Sequence, residues 1–83
     1  MQIVITDTNN VNHTIVHTPG STTLTINGRE IATAAEATEE IDRILSVRND
    51  NGSAWHTCPL FFRTDTVLTA FDARTVTSYQ IIE

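Results

Sequence analysis

His56 and Cys58 stand two residues apart. In an extended strand, positions i and i+2 point to the same side, so an imidazole and a thiol could face one ligand. Zinc would want two more ligands, or one and a water. His13 and His17 are four apart, which puts them on the same side of a strand but about 13 Å apart along it. One ion cannot take both unless the strand bends. As a nucleophile, Cys58 would need a base at about 3 Å and oxyanion donors, and the neighbouring Pro59 has no amide to offer. Cys58 therefore reads first as a small buried apolar side chain. No catalytic residue, metal ligand or cofactor is assigned, and the chain does not read as an enzyme. A small metal-binding or thiol-dependent protein using His56 and Cys58 is the remaining chemical alternative.

Glu36 and Glu40 are one helical turn apart and could share a proton or a metal if buried. Their face reads as wet, and water screens the repulsion. Gly20, Gly28 and Gly52 are isolated and the chain has no lysine. A phosphate-cradling loop of the Gly-Lys type is thereby excluded, as is a Schiff-base mechanism. Trp55, Phe61, Phe62, Phe71 and Tyr79 could stack bases only if displayed beside Arg63 and Arg74. In so small a chain they are expected to fill the core. Trp55 follows a polar loop, and is the aromatic best placed to anchor a partner.

The elements that would position these groups are mostly strands. Residues 2–7 put Ile3 and Ile5 on one face, and a hairpin across Thr8, Asn9 and Asn10 leads to a second strand over 11–17. Residues 22–26 place Leu24 and Ile26 opposite threonines. Asn27-Gly28 is the strongest hairpin signal, returning as a short strand over 29–31. Thr33 and Glu36 form a capping box that opens a helix over 33–45, with the apolar seam Ala34, Ala37, Ile41, Ile44, Leu45. Glu36, Glu39, Glu40, Asp42 and Arg43 are expected off that seam, with Glu39 and Arg43 paired at i,i+4. Residues 49–53 read as a loop. Residues 54–62 contain Pro59, so this segment is expected as an edge strand, a bulged strand or two pieces. Strands follow over 66–71 and 75–82. Apolar content on both faces of the last makes it a candidate for a central position. Fifteen threonines support the β reading. The expected fold is α+β: a small, predominantly antiparallel sheet of about five strands packed on one amphipathic helix, in a single compact domain over residues 1–83.

Composition narrows the function classes. Ten carboxylates face five arginines, for a net charge of −5. The arginines at 29, 43, 48, 63 and 74 are scattered, not gathered as direct nucleic-acid binding requires. One cysteine excludes an internal disulfide, and a cytoplasmic setting is the default. The first residues carry no basic region, so they do not read as a signal peptide. No apolar run approaches the ~20 residues that span a bilayer, and no membrane partner is expected. Asn12-His13-Thr14 and Asn51-Gly52-Ser53 match the glycosylation triplet, which has meaning only in a secretory chain. The reading that fits is a small acidic protein-interaction module with a basic-surfaced protein partner. By size and charge alone it compares with virus-encoded inhibitors that block a basic nucleic-acid-binding surface of a host defence protein. Glu36, Glu39, Glu40, Asp42, Asp50 and Trp55 are its expected contact residues. The alternative is a structural module that self-associates, as a homodimer for example, through an exposed strand edge: the 29–31 strand or the Pro59 segment.

Overall fold

The computed structural model describes residues 1–18, 20, 22–50 and 59–83. Trp55, His56 and Cys58 lie outside the described residues, as does the side chain of Asp50. The class is α+β: seven strands in two antiparallel sheets, with one helix. The strands are β1 (Gln2–Asp7), β2 (Asn12–Val16), β3 (Leu24–Ile26), β4 (Arg29–Ile31), β5 (Pro59–Arg63), β6 (Leu68–Asp72) and β7 (Val76–Ile82). The helix α1 (Ala34–Asp50) lies between β4 and β5, and a 3-10 turn, Ala73–Thr75, joins β6 to β7. The first sheet has the order β2-β1-β7 and the second β4-β3-β5-β6.

Period-two alternation builds the core. Ile3 and Ile5 of β1, Leu24 and Ile26 of β3, and Leu60 and Phe62 of β5 are all buried. Ala37, Ile41 and Ile44 of α1 close over them, with Ile15, Ile31, Ala73 and Val76 completing the cluster. The helix starts as the capping box dictates. The Thr33 hydroxyl oxygen accepts from the Glu36 amide (3.2 Å), while the Glu36 carboxylate reaches one residue past the cap to accept from the Ala32 amide (3.2 Å). It runs to Asp50, five residues beyond the expected end, because the first helix breaker after Leu45 is Gly52.

Three expectations are corrected. The β7 strand is an edge of its sheet, not central. Its two-sided apolar content has a local cause: a register shift at Thr6/Asp7 turns Val76 inward, while Ile82 on the other face stays exposed. Pro59 opens β5, which is an interior strand, so the edge alternative for this segment falls, while residues 54–58 lie outside the described residues. As the first residue of β5, Pro59 has no ladder amide to lose. Glu40, expected on the wet face, is buried beside Ala37, Ile41 and Ile44.

Candidate functional site

The acidic residues of the helix do not stand as an open patch. Arg29 shares with Ile31 the face of β4 that meets α1, and three carboxylates of the helix converge on its guanidinium. Glu39 lies at 3.3 Å, Glu40 at 3.5 Å and Glu36 at 3.9 Å. Arg43 closes on Glu40 from the other side, with Nε donating at 3.3 Å and Nη2 in a second, closer bond. The expected i,i+4 pair of Glu39 with Arg43 is thus replaced by an i,i+3 pair of Glu40 with Arg43. Glu40 retains only 5% of its side-chain exposure, whereas Glu39 retains 72%. The Arg43 guanidinium, with Arg29 second, outweighs burial and holds the Glu40 carboxyl below the ordinary carboxylate range. Asp42 faces another way, accepting a hydrogen bond from the Tyr79 hydroxyl of β7. Burial, then the hydrogen bond to Asp42, pushes the Tyr79 phenol up to about 12. Glu36, Glu39, Glu40 and Asp42 together with Arg29 and Arg43 make four negative charges against two positive, a formal −2.

A second cluster ties the two sheets together. The Asp7 carboxylate accepts from the amides of Asn9 (2.8 Å) and Val11 (3.0 Å), setting the β1–β2 turn. Its other oxygen meets His13 Nε2 at 2.9 Å. The His13 bond, followed by the Val11 amide, lowers the Asp7 pKa. The ring of His13 then packs edge-on against Phe71 of β6 (5.2 Å), and Phe71 against Phe62 (5.9 Å). This side-chain contact links β2 and β6, each an edge of its own sheet, which do not pair with each other.

Beyond the His13–Phe71 contact the two edges enclose a groove of about 280 Å³, lined by Thr14, Val16, Phe62, Thr66, Val67 and Thr69 among others. Among the described residues, the large apolar side chains left exposed are Val11, Val16, Val67, Leu68 and Ile82. Each lies on β2, β6 or β7, or immediately before one of them. These strands carry a single charged residue, Asp72, which Arg74 neutralises at 2.9 Å. By contrast, β4 carries Arg29 and Glu30. Among the described residues, no three His, Cys, Asp or Glu side chains gather closely enough to hold a metal ion. No helix of the described residues is long and apolar enough to cross a membrane.

Of the expected contact residues, the structure brings Glu36, Glu39 and Glu40 together around Arg29 and places Asp42 apart on Tyr79. Sequence reasoning missed Arg29. Its signal was there: a cation on the return strand of an Asn-Gly hairpin, five residues before a helix whose first turns are acidic, stands close in sequence to those acids. It also missed the seam between β2 and β6, which no local pattern marks. No family model matches the chain, and no curated protein or solved structure is significantly similar to it.

Proposed function

We propose that this chain is a small protein-interaction module that self-associates through strand edges that no other described strand pairs. The observation that supports it is that every exposed large apolar side chain among the described residues lies on β2, β6 or β7 or immediately before one of them. Edge strands are ordinarily blunted by charge, above all by lysine. Here β4 is blunted in that way, the other three edges are not, and the chain has no lysine with which to do it. Two copies of a chain carrying −5 repel each other. They can approach most cheaply where no charge is displayed, and antiparallel pairing of like edges closes on a two-fold axis.

The test is light scattering across protein concentration, with Val16→Lys, Leu68→Lys and Ile82→Lys as single variants. The wild type is expected to dimerise reversibly, and the lysine on the pairing edge to return it to monomer without lowering its thermal midpoint. A wild type that stays monomeric at high micromolar concentration sinks the reading. A second reading then takes over, in which the helix face, with Glu39 largely exposed, docks on a basic protein surface and blocks it. Loss of binding to poly-arginine on Glu39→Lys would support that reading.

A further inference from the structure

We propose that the seam between β2 and β6 is an acceptor for one extended, uncharged peptide segment of a partner protein. The proposal rests on the preceding reading only in that both use unpaired edges. Hydrogen-bond phase decides which groups face the seam. Met1 and His17 exchange backbone bonds (2.8 and 2.9 Å), and Asp7 donates to Val11 (3.1 Å). In an antiparallel ladder bonded pairs alternate, so His13 and Ile15 turn their amides to β1, and Thr14 and Val16 turn theirs away from it. On the other side, Thr64 donates to Val67 (2.8 Å). With the β5–β6 register, this turns Thr69 and Phe71 toward β5 and leaves Leu68 and Ala70 facing outward. The His13–Phe71 contact at one end and the Val16–Val67 groove at the other make β2 and β6 antiparallel neighbours. Counted antiparallel from the His13–Phe71 contact, Thr14 falls opposite Ala70 and Val16 opposite Leu68, while Val67 and Thr69 line the groove on the β6 side. Both rows of donors and acceptors point away from their own sheets, and neither has a partner strand among the described residues.

The occupant follows from the same facts. A strand already paired in a sheet has one free side and can satisfy one of these rows. A free extended segment satisfies both, joining the two sheets into one. No charged side chain lines the groove, so a charged segment would lose its hydration and gain no partner. Threonine hydroxyls and valine methyls instead suit a β-branched segment of alternating polarity.

The experiment titrates the isotopically labelled chain with an acetylated, amidated Thr-Val-Thr-Val-Thr peptide and reads amide exchange by NMR. Exchange at Thr14, Val16, Leu68 and Ala70 is expected to slow together, with the β7 amides unchanged. Thr14→Pro and Ala70→Pro, each removing one facing amide, should weaken binding about tenfold. N-methylating alternate peptide residues should do the same with the protein untouched, which covers a proline variant that fails to fold. A peptide with glutamate for valine should not bind. Three results would overturn the proposal: no binding, binding without protection on both strands, or a free protein in which the Thr14 and Ala70 amides are already protected because the seam has zipped shut. Peptide capture by a strictly monomeric chain would leave the seam standing while self-association falls, and a dimer blind to the peptide would do the reverse.

Discussion

Two side chains carry more of the molecule than their residue types announce. Glu40 is a carboxylate at a core position, tolerable because Arg43 and Arg29 both bond it. Tyr79 is the one tyrosine of the chain, and its bond to Asp42 stitches the edge strand β7 to the helix. That uniqueness makes it a clean reporter. A phenol raised to about 12 from its ordinary 10.0 favours the folded state fully below pH 10. The advantage is lost as pH climbs from 10 toward 12, because the unfolded chain ionises first. Ultraviolet titration of the native protein should place the phenolate midpoint near 12, and Asp42→Asn should draw it back toward 10. A wild-type midpoint at the ordinary value would mean that the Tyr79–Asp42 contact does not hold in solution.

At the level of elements, Asn27 shows how a turn residue can serve as a piece of sheet. Its backbone takes the left-handed conformation (φ 50°), followed by Gly28 at 85°, as a two-residue hairpin demands. Its side chain donates to the Pro59 carbonyl (2.9 Å) and accepts from the Phe61 amide (2.8 Å), extending the short β3–β5 ladder past the end of β3. Asn27→Ala should therefore destabilise by about 2–4 kcal/mol in denaturant melts, since it strands a strand amide and strains the turn. Asn27→Gly, which relieves only the strain, should fall between. The turn itself was legible in the sequence, as were the alternation of Ile3 with Ile5 and of Leu24 with Ile26, and the Thr33–Glu36 cap. All of these are set by residues within four positions of each other. What local pattern could not yield was anything decided across the chain. The burial of Glu40 depends on Arg29 and Arg43, the inward turn of Val76 on a bulge opposite Thr6, and the β2–β6 seam on a ring contact between His13 and Phe71.

The molecule as a whole is electrically two-sided. The outer face of the first sheet, with Gln2, Val4, Thr14, Val16, Gln80 and Ile82, carries no charge, while the carboxylate–guanidinium cluster gathers where α1 meets β4. Association through bare edges is then opposed only by the long-range repulsion of two −5 bodies. Raising salt shortens the reach of that repulsion, so the dimer constant should tighten from low to moderate ionic strength. A constant that weakens with salt would point to contacts between opposite charges and to the helix instead. The pairing of β1 with both β2 and β7 reaches further still, because Gln2 lies beside Ile82. During synthesis, β1 must wait for β7, about seventy residues later, before its own sheet is whole. Such distant closure places folding among the slow, millisecond-to-second topologies, and through that interval a nascent chain keeps a sticky flank that a chaperone could hold.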